Sequence, residues 1–566
     1  MENVIQTIGI GVQDFAKLRE ENLFYIDKTS FIKEWWESGD DVTLITRPRR
    51  FGKTINMSMI EKFFSLNYAG RGDLFEGLFI WQEEKYRKLQ GTYPVISLSF
   101  AGVKEENYEK TRKKICQILT DLYVQYIFIK DSDALVDTDK RYFERMLLSE
   151  VDDTDATYAL YKLSNFLYRY YGKKPIIILD EYDTPMQEAY VHGFWDKLVI
   201  FTRSLFNSAF KTNPYMYRGI MMGITRVSRE SMFLDLNNLK VVTTTSNEYA
   251  TSFGFTEEEV FEALENFGKG EEKKGVKEWY DGFVFGNHRD IYNPWSILNF
   301  LDTGMYVTYW ANTSSNSLVG KLIREGTRNV KQSMESLMKD ENLLCHIDEQ
   351  IVYNQLDDNE EAIWSLLVAS GYLKILSYED IRDLEREPKY ELAITNREVK
   401  IMFRSMIRGW FKTAKVSYND FIKSLLANDL KGMNIHMRNI ALQTFSYFDT
   451  GRSVIGDEAE RFYHGFVLGL LVDLNEDYVV TSNRESGYGR YDVMLEPRLK
   501  ENYAYIMEFK VHDPEDEKSI EETLKAALTQ IEEKAYEANL IARGFDREKI
   551  RKYGFAFEGK KVLIGK

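Results

Sequence analysis

Arg47-Pro48-Arg49-Arg50-Phe51-Gly52-Lys53-Thr54 lies between two stretches of different period. Before it, Val42-Thr43-Leu44-Ile45-Thr46 is a short, nearly continuous apolar run. After it, Ile55 to Phe64 carries the spacing of a helix. A buried strand that turns through Gly-Lys-Thr into a helix is the setting of a phosphate-binding loop. Its backbone amides approach the phosphates, its lysine reaches the outer ones, and its hydroxyl can hold magnesium. The stretch supplies the second glycine, the lysine and the hydroxyl of the GxxxxGK[ST] pattern, while Arg47 stands where the first glycine is expected. The triplet alone is usually a surface turn; the flanking strand and helix are what lift it above that reading.

Working outward, 94–100, 175–180 and 217–225 read as further apolar strands separated by longer helical segments. Buried strands alternating with helices indicate a doubly wound, largely parallel sheet, here over residues 1–250. Pro175 to Asp180 ends in an acid and Glu181 follows. In that position Asp180 would hold the magnesium shell and Glu181 would orient and activate water. The alternative is a strand emerging into a solvated acidic turn. Thr225-Arg226, at the end of the next strand, could sense a terminal phosphate, although strand ends are commonly polar.

From Thr256 the pattern turns helical. Thr256 and Glu259 form a capping box, and turn residues punctuate Trp279-Tyr280-Asp281-Gly282-Phe283 and Tyr292-Asn293-Pro294-Trp295. Residues 251–450 are read as a helical lid or connector, with a strand pair near 371–396 as the wing of a small helical domain. Asp27, Lys28 and Asp281 are read as turn or cap residues, with packing of Tyr25–Thr29 over a nucleotide as the second reading.

Residues 451–566 form a third segment: a helix, strands at 478–482, 490–496 and 503–511, a helix over 518–541, and two short strands over 553–564. Alternate residues of a strand share a face, so Glu508 and Lys510 point the same way, opposite Phe509. Such a triplet is usually a solvated strand face. Here Tyr505-Ile506-Met507 and Phe509 are apolar, and charges in a buried strand need partners or a metal. Asp492 lies on the preceding strand and Glu460 on the entering helix, both in an order that could bring them to Glu508.

Composition narrows the class. At 566 residues the chain is too long for one core, which suggests roughly three or four domains. Hydrophobic residues at 44% and charged residues at 29% are ordinary for a globular protein. A net charge of −15 argues against a generally basic nucleic-acid coat, though not against a local basic cleft. The 2 cysteines and 6 histidines are scattered, which disfavours structural zinc and fits a reducing cytoplasm. The start Met1-Glu2-Asn3-Val4 shows no signal-peptide pattern and the apolar stretches are too short to span a bilayer, so a cytoplasmic protein without membrane association is expected.

Two resemblances follow from these blocks. Arg47–Thr54, with Asp180-Glu181-Tyr182-Asp183-Thr184-Pro185, Tyr25–Thr29, Asn237-Asn238-Leu239 and the Trp279 and Tyr292 blocks, resembles the bacterial AAA-ATPase-like family. That resemblance makes the missing first glycine a family trait. It implies ATP binding by Arg49, Arg50, Phe51, Gly52, Lys53, Thr54 and Asp180, with Thr54 and Asp180 on magnesium and Glu181 catalytic. The segments Glu460–His464, Gly487–Asp492, Ile506–Lys510 and Ala527–Ile531, with Tyr536, resemble the PD-(D/E)XK nuclease superfamily. This implies a restriction-endonuclease-like fold in which Glu460, Asp492 and Glu508 bind Mg2+ or Mn2+. Lys510 would position or activate water and Gln530 support the site, while Tyr491 replaces the superfamily's proline. The expected function is ATP binding and hydrolysis coupled to magnesium-dependent cleavage of nucleic acid, DNA favoured over RNA, with a homo-oligomer left open. The alternatives are a regulatory or nucleic-acid-binding ATPase whose nuclease-like domain is catalytically inactive, and a nucleotide-gated scaffold.

Overall fold

The computed structural model describes residues 6–566 apart from 149–150, 212, 227–235, 312–316, 349–355, 357–358, 379–387, 413–414, 449–454, 487–488 and 515. Side chains of 317, 445–448, 455–461 and 485 also lie outside the description. The chain forms two compact units, one of residues 1–314 with 344–399, the other of 315–343 with 400–566. The middle region is thus shared between them. None of the described helices is long and apolar enough to cross a membrane.

The first unit is built on a five-stranded parallel sheet in the order β2-β3-β4-β1-β5. Its strands are β1 (Val42–Thr46), β2 (Val95–Ser99), β3 (Ile176–Asp180), β4 (Arg218–Gly223) and β5 (Leu239–Val242). Every residue of β1 and β3 is buried, as the uninterrupted apolar runs required of strands covered on both faces. Each buried isoleucine or leucine there contributes roughly 1.5–3 kcal/mol relative to exposure. The four strands expected over 42–46, 94–100, 175–180 and 217–225 are present; β5 is an addition. It is short, only its last residue is buried, and it pairs in parallel with β1.

Helix α1 (Lys53–Phe64) follows β1, and α2 (Thr184–His192) follows β3 with proline in its first turn. Helix α3 (Glu257–Asn266) starts at the capping box, with Thr256 and Glu259 bonded reciprocally. It packs with α4 (Pro294–Thr303) in an aromatic cluster that includes Tyr280, Tyr292 and Phe300. In the same unit, the helix Glu360–Ala369 precedes a hairpin of Leu373–Tyr378 and Lys389–Ile394.

The second unit carries a five-stranded mixed sheet, β6 (Tyr478–Ser486), β7 (Gly489–Pro497), β8 (Ala504–Val511), β9 (Ile550–Glu558) and β10 (Lys561–Gly565), in sequential order. Only β8 and β9 run parallel. Helices α5 (Arg328–Met338), α6 (Ile455–Leu474) and α7 (Ile520–Glu533) belong to this unit. The helix expected over 518–541 breaks after Glu533 and resumes at Ala538–Ala542. Ala535 takes φ 50° at the break, and the turn drives the Tyr536 ring into the core beside Tyr491.

Candidate functional sites

Nothing in the phosphate-loop sequence is idle in the structure. Gly52 adopts φ 81° and caps α1, a left-handed turn that glycine makes without strain. Arg50 takes φ 64° and lays its guanidinium on the Trp295 ring, 4.3 Å from the centroid. Phe51 is fully buried against Phe283 and Phe285, so only its backbone faces the loop. Arg49 donates to the Gln187 side chain at 3.0 Å. Its carbonyl accepts from Asn293 at 3.3 Å and from the Trp310 indole at 2.9 Å.

Arg47 has no exposed surface. Its guanidinium donates to the carbonyls of Thr46, Thr243, Glu248 and Tyr249, and stacks 4.8 Å from the centre of the Phe285 ring. Burial lowers its pKa to about 9. The residue in the place of the first glycine therefore points into the protein and staples β1 to the 243–249 loop.

At the edge of the sheet, α1 meets β3. The Thr54 hydroxyl donates to Asp180 Oδ2 at 2.7 Å, and the amide of Glu181 donates to Oδ1 at 3.0 Å. Lys53 Nζ donates to the carbonyls of Arg47 and Pro48 and lies 3.5 Å from Glu181 Oε1. Burial, reinforced by the Glu181 charge, raises the Asp180 pKa to about 6. Glu181 sits at φ 51°, which turns the chain sharply after β3. The structure thus brings Lys53, Thr54, Asp180 and Glu181 together.

Thr225 is consumed elsewhere. Its hydroxyl and amide donate to the fully buried Asp183 at 2.9 and 2.8 Å, and its carbonyl accepts from Tyr182. It braces the turn after β3. Asp27 caps Thr29 and the Phe79 amide, while Lys28 is buried in an ion pair with Glu259 at 2.7 Å. Asp27 is thus a cap, as the sequence suggested, and Lys28 is a structural brace. Asp281 is a cap as well, closing the helix Lys273–Tyr280 and accepting from the Gly282 amide, and it also gathers with Glu257 and Asp290, its pKa rising to about 7 through burial and the neighbouring Asp290. No spacing rule links three acids so far apart in sequence, so this cluster was invisible there.

In the second unit the β7–β8 ladder ends at the Val493–Met507 pair. Beyond it the Phe509 amide donates to the Asp492 side chain, Oδ2, at 2.7 Å. This places Asp492 beside Glu508. Glu508 is buried: its Oε1 accepts from Gln530, whereas Oε2 has no hydrogen-bond partner among the described residues. Burial, then repulsion from Asp492, pushes the Glu508 pKa up to about 8; the Lys510 charge opposes this. Gln530 also donates to the Tyr536 hydroxyl at 3.0 Å, so the break after α7 sets the amide that orients Glu508.

Tyr463 on α6 donates to the Asp492 carbonyl at 2.8 Å and packs on Phe509. His464 beside it is buried with both ring nitrogens unpartnered among the described residues, and burial lowers its pKa to about 3, keeping it neutral. Glu460 lies on α6, and its side chain is outside the described residues. Helix α5, from far earlier in the chain, docks on β6: Ser482 donates to Glu335, and Arg328 donates to Asn483 at 3.1 Å.

These two sites coincide with two family matches. Residues 9–233 match the AAA-ATPase-like family model, described as "Predicted AAA-ATPase", and residues 458–566 match the PD-(D/E)XK nuclease superfamily model. A protein of Azotobacter chroococcum mcd 1, described as "Uncharacterized protein in vnfD 5'region", is 26% identical over 553 residues, covering 95% of this chain and 94% of the relative. The likeness therefore runs through the middle region as well as both matched segments.

Proposed function

We propose that the chain binds and hydrolyses ATP through residues 1–250 and cleaves nucleic acid with a divalent metal through residues 451–566, the connecting 251–450 linking the two activities. The observation that carries the nuclease half is Glu508 Oε2, a buried carboxylate oxygen with no hydrogen-bond partner among the described residues, beside a second acid. Such a pair is costly unless a cation joins it. Asp492 and Glu508 fit a hard divalent ion, Mg2+ or Mn2+, with Glu460 in sequence to add a ligand. When bound, the metal supplies Lewis-acid stabilisation of the phosphoryl oxygen charge. Lys510, on the face of Glu508, positions the attacking water, and Gln530 fixes the Glu508 carboxylate.

In the N-terminal site, Lys53 and the amides of Arg49 to Thr54 would cradle the phosphates. Thr54 and Asp180, already hydrogen-bonded to each other, fit magnesium. Glu181 would accept a proton from water. The burial of Arg47 supports this reading, because an arginine turned inward leaves the phosphate side of the loop free of its side chain.

The deciding experiment is cleavage of single- and double-stranded DNA and RNA by the full chain, with Mg2+ or Mn2+ and with or without ATP. Cutting that needs metal and disappears in Asp492→Ala supports the proposal. No cutting under any condition, with ATP still hydrolysed, leaves the regulatory ATPase as the better reading.

A further inference from the structure

The phosphate loop is held by residues of its own unit that lie beyond the segment matched to the ATPase family. Arg49 offers one carbonyl to two side-chain donors, Asn293 and Trp310, both beyond the segment matched to the ATPase family. Trp310 is itself fixed. Its ring packs on Phe283 and Tyr372, and its amide donates to Glu398 Oε1 at 2.6 Å. The same oxygen accepts from the Ala311 amide at 3.3 Å, and Glu398 Oε2 accepts from Ser296 at 2.8 Å. Ser296 lies in the first turn of α4, whose cap is Asn293. Glu398 is almost fully buried, so these contacts are its environment, not an incidental surface arrangement.

The place of this node in the chain gives it meaning. The chain passes from the first unit to the second shortly after Ala311 and again after Val399. Glu398 lies in the first turn of the continuous helix Arg397–Trp410, which runs across that second passage. One carboxylate therefore ties together both outgoing segments, and one indole ties them to the loop that would carry the phosphates.

We propose that Trp310 and Glu398 are positioning residues for the phosphate loop, and that they link its conformation to the helix Arg397–Trp410. This rests on the nucleotide-binding reading of Lys53 and Thr54 only for its second half. The first half concerns the loop itself. A carbonyl held by two donors fixes the backbone next to Arg50 and Gly52, the two positive-φ residues of the loop. A ligand that reorganises those amides must act on the Trp310–Glu398 node. By reciprocity, any strain on the node must act on the ligand's affinity.

The test is hydrogen exchange of the full-length protein followed by mass spectrometry, with Trp310→Phe and Glu398→Gln. Phenylalanine keeps the ring packing and deletes the donor. Glutamine keeps the acceptor oxygen for the Trp310 and Ala311 amides. Without nucleotide, Trp310→Phe should speed exchange at 49–54 by about fivefold, the worth of one neutral hydrogen bond, with the β2 amides unchanged. Glu398→Gln should stay within about twofold of wild type and Glu398→Ala should match or exceed Trp310→Phe. With magnesium-ATP, wild type should gain protection at 49–54 and at 397–403 together. Trp310→Phe should keep the first, at about fivefold higher ATP, and lose the second. Wild-type exchange at 49–54 in Trp310→Phe overturns the positioning role. ATP protection confined to 49–54 in wild type overturns the link to the helix. If ATP protects neither segment, the nucleotide reading and the link fall together, and the nucleotide-free comparison still decides the positioning role.

Discussion

The two acid sites solve the problem of buried charge differently. In the first unit, Asp180 accepts from the Thr54 hydroxyl and the Glu181 amide, and Glu181 has Lys53 within 3.5 Å. In the second, Glu508 spends one oxygen on Gln530, and the other has no hydrogen-bond partner among the described residues, with Asp492 repelling it. The first arrangement is nearly self-sufficient, and Asp180 rises only to about 6. In the second, burial and the Asp492 charge raise Glu508 to about 8. Two carboxylate sites in one chain are thus hydrogen-bonded to different degrees, and the difference can be measured.

The largest expected effect lies at the second site. Asp492→Ala and Lys510→Ala should each cut nucleic-acid cleavage by at least about a thousandfold, roughly 4 kcal/mol of transition-state stabilisation. ATP binding should be unchanged, since the first site uses none of these residues. Cleavage by Asp492→Ala at a wild-type rate would remove that acid from the mechanism. At the first site, Glu181→Gln should slow ATP hydrolysis by about a hundredfold or more with binding retained. Lys53→Ala should weaken ATP binding by on the order of tenfold to a hundredfold. Equal hydrolysis by wild type and Glu181→Gln would sink the role given to that glutamate.

A smaller effect sharpens the contrast in stability. Folding raises the Glu508 pKa above its unfolded value, so the folded state binds the proton more tightly. That contribution is fully present below the usual glutamate range, around pH 4.5, and is lost as pH rises through about 8. In chelator, Glu508→Gln should therefore exceed wild type at pH 8 by about 3–4 kcal/mol in urea unfolding, with the gap closing toward pH 5. Magnesium or manganese at pH 8 should stabilise wild type and leave Glu508→Gln nearly unmoved. Asp180→Asn, whose site is already paired, should show a weaker pH dependence. An equal or larger one would break the comparison.

Local patterns made much of the fold readable. Strands β1 and β3 announced themselves because both faces are buried, and the Thr256–Glu259 box because capping is a four-residue event. The neighbourhood of Glu508 was legible because a charge inside Tyr505-Ile506-Met507 and Phe509 has nowhere neutral to go. What escaped depends on contacts far apart in sequence. No local rule assigns α5 to the second unit while 344–399 returns to the first. Nor does one say that Arg47 turns inward, since that needs the carbonyls of Thr243 and Glu248 some two hundred residues away. The break after α7 was hidden for the same reason: the helical period continues, and only the core position of Tyr536 forces Ala535 out of it.

The smallest expected effect concerns Tyr491, which stands in the second site where the superfamily pattern has proline. Its hydroxyl is hydrogen-bonded to Thr481 at 2.7 Å, on the neighbouring strand β6, and its ring packs near Tyr536. The side chain therefore serves the sheet and the core, while Asp492, the next residue, is placed by the Phe509 amide. Tyr491→Phe keeps the ring and removes one partly buried hydrogen bond, which should cost about 0.5–1.5 kcal/mol in denaturant unfolding. Thr481 retains the Met494 carbonyl at 3.5 Å as an acceptor, which holds the loss toward the lower end. Metal-dependent cleavage by Tyr491→Phe should match wild type within about twofold, because no group facing Glu508 has moved. A large drop in cleavage without a matching loss of stability would show that this hydroxyl acts on the metal-binding face. Tyr491 would then belong with Asp492 and Glu508 rather than with the residues that build the sheet.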